Sequence, residues 1–162
     1  MRLPPFDQVV RKYGPAVLRV CRSSLPRADA DDAWSATFLA ALRAYPQLAP
    51  TASIEAWLVT IAHRKVIDLV RARERRPAPM ADPPEPHGRF GDEPQEPDEA
   101  LWDAVRTLPE KQRLCVAYRY VADLSYRQIA EIVGGSEAAA RRAAADGVRT
   151  LRYNYDKEPD RA

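Results

Sequence analysis

The chain is poor in the residues that enzymatic or metal chemistry draws on. It has two cysteines, two histidines and six glycines in 162 residues. Cys21 and Cys115 each lie inside an apolar helical pattern, with no second Cys or His at metal-ligand spacing, which predicts buried, reduced thiols. His63 and His87 are too far apart in sequence to suggest a zinc site. There is no glycine-rich phosphate loop, nucleophile elbow or paired-carboxylate pattern, so no catalytic residue, metal or cofactor is expected. No stretch of eighteen apolar residues occurs, and Met1-Arg2-Leu3-Pro4-Pro5 lacks the apolar run of a secretory signal. The expectation is a cytoplasmic, non-enzymatic protein that does not insert into a membrane.

What the chain does have is an uneven distribution of charge. Residues 1–76 carry 13 basic against 7 acidic side chains, residues 77–100 carry 1 against 7, and residues 101–162 carry 11 against 9. The net charge of +2 therefore conceals a basic module tied to an acidic strap, and a basic module suits a polyanionic partner. The strap holds seven prolines, at 77, 79, 83, 84, 86, 94 and 97, and almost no aliphatic residue. Such a segment cannot offset its ordering entropy by burial, which predicts a flexible linker over 77–98 between domains at 1–76 and 99–162.

Both flanking parts read as helices, an all-α fold. Val9, Val10, Tyr13, Val17, Leu18, Val20 and Cys21 recur at three- and four-residue steps, predicting a helix over 7–24 with a kink at Gly14-Pro15. Asp29 or Asp31 is expected to cap a second helix closed by Pro46, and Ser53 a third that ends in Arg71, Arg73, Arg75 and Arg76. Beyond the strap, a helix over 101–107 is followed by one with Pro109 as its first residue and a buried stripe of Leu114, Val116, Ala117, Tyr120 and Val121. Ser125-Tyr126-Arg127-Gln128 has the form of a capping box, Gly134-Gly135 a stop, and Ser136 the cap of a last helix reaching about residue 152. Two helices about a glycine turn are a helix-turn-helix pattern. In the last helix, Ala140, Ala144, Gly147 or Val148, and Leu151 are expected inward, with Glu137, Ala138, Arg141, Arg142, Ala145 and Arg149 outward.

Three stretches resemble the extracytoplasmic-function (ECF) type of sigma-70 family proteins. Asp31-Asp32-Ala33-Trp34-Ser35-Ala36-Thr37-Phe38-Leu39 is similar to the family's motif for binding the polymerase clamp, with Ser35 and Ala36 where Gln and Glu are usual. The run from Ala56 to Asp68 is similar to the promoter-melting helix. Leu108 to Arg113, with Leu124 to Ile132, is similar to the opening of region 4, which binds the upstream promoter element. The resemblance implies a region 2 bundle, a linker and a region 4 helix-turn-helix. The implied partners are core RNA polymerase, at its clamp and flap, and promoter DNA, both as duplex and as melted non-template strand. It also admits an anti-sigma factor.

On that resemblance, Asp31, Asp32, Trp34, Ser35, Thr37 and Phe38 are the expected polymerase-binding residues. The expected DNA-binding residues are Trp57, His63, Arg64, Lys65, Arg71 and Arg75 in the first module. In the second they are Ser125, Arg127, Ser136, Glu137, Arg141, Arg142 and Arg149. Strand opening needs an aromatic surface or pocket for a displaced base together with cations for phosphates, and the first group supplies both. Ala143, Ala145 and Asp146 stand where the family carries basic or polar side chains, so the last helix offers few groups that read bases. The function implied is promoter recognition and transcription initiation. The rivals are a sigma-like regulator that occupies polymerase without directing initiation, and a stand-alone helix-turn-helix repressor.

Overall fold

The computed structural model describes residues 2–75 and 99–157, and the expected linker 77–98, Arg76 and the tail from 158 lie outside the described residues. Seven α-helices and no strand occur among the described residues. They are α1 (Phe6–Arg22), α2 (Arg27–Ala44), α3 (Ile54–Arg75), α4 (Glu99–Arg106), α5 (Glu110–Val116), α6 (Tyr126–Val133) and α7 (Glu137–Asp156). A 3-10 turn over Tyr45–Gln47 follows α2, and a π turn over Ala117–Val121 continues α5.

Helices α1 to α3 pack around Val9, Val17, Cys21, Leu25, Ala33, Phe38, Leu58, Ala62 and Val66. Small residues on α2 (Ala30, Ala33, Ala41) let the three axes approach, and Leu58, with no exposed surface, contributes about 1.5–3 kcal/mol by its burial. Pro15 lies inside α1, where it supplies no N–H to the ladder. Ser53 does cap α3, accepting from the Ala56 amide at 3.2 Å. Neither Asp29 nor Asp31 caps α2, because that helix starts earlier, behind Pro26, and has no side-chain cap. Pro109 likewise stands just before α5 as its N-cap, with Glu110 the first helical residue. Both cysteines are free and buried, and burial, with the Asp31 carboxylate adding to it, pushes the Cys21 thiol up to about 12.

The second half packs α5 and α6 against α7. Gly147 sits where a Cβ would come 2.6 Å from Val116 Cγ2, so α5 and α7 touch backbone to side chain. Ala140, Ala143 and Ala144 are buried on the same face. Ala143 is thus not a lost DNA contact on the outer surface but part of the packed seam. The stripe expected on α5 also shifts: Tyr118 is fully buried whereas Tyr120 is 61% exposed. The cause is the π turn, in which the Ala122 amide donates to the Ala117 carbonyl at 3.2 Å and the extra residue per turn rotates the register. Ser125 and Gln128 form the expected capping box, and Gly134 and Gly135, with φ of 88° and 84°, make the turn before α7.

The two halves meet. Val20, Val59 and Ile67 of α1 and α3 belong to one buried cluster with Leu114, Tyr118, Leu124 and Ile129. Polar contacts line the seam: Arg22 pairs with Glu99, Arg113 Nε donates to Ser24 Oγ at 3.0 Å, and Arg106 donates to the Arg22 carbonyl at 2.8 Å.

Candidate polymerase and nucleic-acid interfaces

Helix α2 presents Asp31, Asp32 and Ser35 to solvent. Their neighbours in the motif face the other way. Thr37 has no exposed surface and its hydroxyl donates to the Ala33 carbonyl at 2.7 Å, Phe38 is buried, and half-buried Trp34 donates from Nε1 to the Gly14 carbonyl at 2.9 Å. Trp34 and Phe38 rings lie 4.7 Å apart. Trp34 and Phe38, the latter with its ring 6.4 Å from that of Phe6, hold α2 on α1, Thr37 is tied within α2 itself, and the acids and Ser35 form the outer edge. Leu39 and Leu42, each 51% exposed, complete that edge, although the helical periodicity counts Leu42 with the apolar stripe of Ala33, Trp34, Thr37, Phe38 and Ala41. Positions 31, 35, 39 and 42 share one helix face, so apolar surface and paired carboxylates adjoin. Large apolar side chains left half in water beside acids are the signal that marks them.

Helix α3 ends in an exposed basic face. Arg64, Arg71 and Arg75 are exposed and share one side, with exposed Asp68 between them, and Lys65 is half-buried beside them. Arg73 pairs instead with Asp29, which ties the end of α3 to the start of α2. Trp57 is half-buried, with its ring 6.1 Å from that of Tyr45, and packs against the first core. His63 is not with the arginines: its Nδ1 is 2.7 Å from the Tyr118 hydroxyl. Burial holds its pKa below the ordinary value; Glu110 opposes the shift, and Arg64 and Arg71 add to it.

In the second half the Ser125 and Ser136 hydroxyl oxygens are engaged as caps, accepting from the Gln128 and Ala139 amides at 3.1 and 3.0 Å. Glu137, Arg141, Arg142 and Arg149 are exposed on α7, with Ala138 and Ala145 between them. Arg141 pairs with Glu137 at 3.4 Å, Arg149 with Asp146 at 3.4 Å and Arg127 of α6 with Glu131 at 3.8 Å. The outer face of α7 thus carries four exposed arginines, Arg141, Arg142, Arg149 and Arg152, at the i, i+1, i+8 and i+11 positions of an N-capped helix, a basic row of the kind that meets phosphates.

Residues 9–76 match the family described as Sigma-70 region 2, and residues 98–151 match that described as Sigma-70, region 4. The ECF RNA polymerase sigma factor ShbA of Streptomyces griseus is 31% identical over 154 residues, a match covering 85% of this chain and 81% of that protein. The chain belongs to the ECF sigma factors.

Other ECF sigma factors are similar over part of their length. BldN of Streptomyces coelicolor is 35% identical across 90% of this chain and 58% of its own, and SigK of Mycolicibacterium vanbaalenii is 31% identical across 59% and 53%. This sigma factor chain thus spans little more than half the length of those two relatives. Among solved structures, RpoE of Bartonella quintana, crystallised with the anti-sigma factor NepR, superposes with a TM-score of 0.74 at 19% identity over 96% of this chain and 98% of that one. CnrH, solved with the cytosolic domain of CnrY, gives 0.68 at 23% over 94% and 88%. Both have the fold of this sigma factor. Among the described residues no helix is long and apolar enough to cross a membrane.

Proposed function

We propose that this ECF sigma factor is a non-enzymatic, cytoplasmic initiation subunit that binds core RNA polymerase, recognises promoter DNA and assists its opening. In this reading residues 1–76 and 99–162 are its two working units and 77–98 the strap between them. The observation that carries the reading is the order of parts along one chain: an acidic and apolar edge on α2, a basic face on α3, then a capped helix-turn-helix with arginines on α7. The α2 edge suits the clamp, the α3 face the phosphates of the melting segment, and α7 the upstream duplex, with the flap against the second unit. His63 has its Nδ1 engaged by Tyr118, which leaves Nε2 as its group for DNA. The likeness to RpoE, which was crystallised with the anti-sigma factor NepR, supports an anti-sigma partner for this chain as well.

The decisive experiment is run-off transcription from genomic fragments with the pure chain and core polymerase. Specific transcripts are expected. Polymerase binding without transcripts points to a sigma-like occupant of the enzyme, and tight duplex binding by the free chain to a stand-alone repressor.

A further inference from the structure

Tyr126, the first residue of α6, touches two cations, Arg119 ahead of the helix-turn-helix and Arg141 on its second helix. The Arg119 guanidinium lies 4.7 Å from its ring centroid and that of Arg141 lies 5.0 Å from it. Each arginine is also fixed by a second contact. Arg119 Nη1 donates to the Leu124 carbonyl at 3.1 Å, which anchors it to the turn entering α6. Arg141 Nη2 pairs with Glu137 Oε1 at 3.4 Å, one turn earlier on α7. Tyr126 itself is half-buried against the cluster that contains Ile129 and Ala140. The ring therefore stands on the core, and Arg141, 58% exposed, stands on the ring.

An arginine on a helix surface samples many rotamers, and ordering it on binding costs free energy. A ring face beneath the guanidinium removes much of that cost while leaving the planar fork free at its edge. Arg142, the next residue, has no ring beneath it among the described residues, so of these two exposed arginines only Arg141 is stacked. The flanking turn and cap fix the origin of this support: Ser125 and Gln128 set the first turn of α6, and that turn places the Tyr126 ring. Two guanidinium groups on one ring with a single carboxylate beside them also leave an excess of positive charge, which a polyanion relieves.

We infer that Tyr126 is a positioning residue for promoter selectivity: it holds Arg141 in the pose in which its fork meets a guanine edge of the upstream element. This inference rests on the reading of α7 as the helix that enters that duplex. Glu137 is the exchangeable partner, able to turn to a cytosine amino group when the fork engages the base. Tyr126 acts through Arg141 and makes no base contact in this scheme.

The test uses holoenzyme assembled from the full chain and core polymerase, with a promoter library randomised across the upstream element and base preference read by sequencing of the bound fraction. Arg141→Ala is expected to lower preference for guanine at one position by roughly 5- to 150-fold. Tyr126→Leu is expected to lower it at that same position by roughly two- to five-fold, the size of an exposed cation–π contact, with Tyr126→Phe retaining the wild-type preference. A pentafluorinated phenylalanine at 126 keeps the shape and reverses the ring quadrupole, so it should behave as Leu does even if the Leu variant folds poorly. A selective Arg141 with an unchanged profile in the Leu and fluorinated variants overturns the positioning role alone. So does loss with Leu but retention with the fluorinated ring, which would assign the effect to packing. An unchanged profile in Arg141→Ala overturns the reading of α7 and the inference with it.

Discussion

The His63 imidazole and the Tyr118 hydroxyl, 55 positions apart in sequence, meet at 2.7 Å and join α3 to the π turn that follows α5. Tyr118 has no exposed surface, and burial raises its phenol well above the ordinary value, so the hydroxyl stays protonated and available to donate. The contact sits on the shared cluster of the two halves, which makes it a gauge of whether they are together.

Its first consequence concerns acid. His63 has a lowered pKa in the folded chain, so the unfolded chain binds the proton more readily. The stability of the neutral form is complete above about 6.5 and is lost as the pH falls through the lowered folded value. Glu110 on α5 works against the shift and Arg64 and Arg71 on α3 work with it. Thermal unfolding of the full chain should therefore show a midpoint that rises with pH up to about 6.5 and then levels off, with a slope that flattens in His63→Gln. Tyr118→Phe should lower stability by about 1 kcal/mol at neutral pH, the net worth of one hydrogen bond. An equal pH slope in wild type and His63→Gln would remove His63 from the account.

The close approach of α5 and α7 gives a second prediction. Replacing a helical glycine by alanine ordinarily stabilises by about 1 kcal/mol. At Gly147 the added methyl would meet Val116 Cγ2 at 2.6 Å, and overpacking of that kind costs about 1–3 kcal/mol. Gly147→Ala should be net destabilising in denaturant titration, and Val116→Ala in the same chain should recover part of the loss. A double-mutant cycle measures the coupling.

The basic face of α3 gives a third. If Arg64 and Arg71 each neutralise a phosphate, holoenzyme affinity for promoter DNA should fall steeply with salt, and each Arg→Gln change should reduce the slope of log K against log salt by about 1. Both side chains are exposed, so thermal stability should move by no more than about 0.5 kcal/mol. A slope unchanged in both variants would place the phosphates elsewhere.

Most local signals carried from sequence to structure, the cap expected from Asp29 or Asp31 excepted, whereas those set by distant packing did not. The capping box of Ser125 and Gln128, the cap at Ser53 and the glycine turn at 134–135 depend on neighbours within three residues, and all three are present. The exchange of Tyr118 for Tyr120 was hidden because a π turn leaves no mark in a 3.6-residue pattern. The inward position of Thr37 and Phe38 follows from where α1 crosses α2, and the fate of His63 from Tyr118 on a distant helix. A motif reads as a string, whereas burial sorts its members by face, so half of the α2 motif supports the helix and the other half is free to meet a partner.

That division gives the last prediction. Leu39 and Leu42 are each 51% exposed and continue the face of Asp31 and Ser35, with Asp32 at its margin. Neither leucine is needed to close the first core, which is already filled by Phe38, Ala41 and Leu58. Burying a leucine that is half in water contributes about 0.8–1.5 kcal/mol, so Leu39→Ala should weaken binding to core polymerase by roughly 4- to 13-fold. Because the side chain is exposed in the free chain, its unfolding midpoint should change little. Asp31→Asn together with Asp32→Asn should mainly slow association and make it less sensitive to salt, since exposed charges steer encounter more than they hold a complex. Surface plasmon resonance against immobilised core polymerase separates the two effects, with Leu39→Ala expected in the dissociation rate and the paired Asn variant in the association rate. Wild-type kinetics in all of these variants would move the polymerase contact off α2.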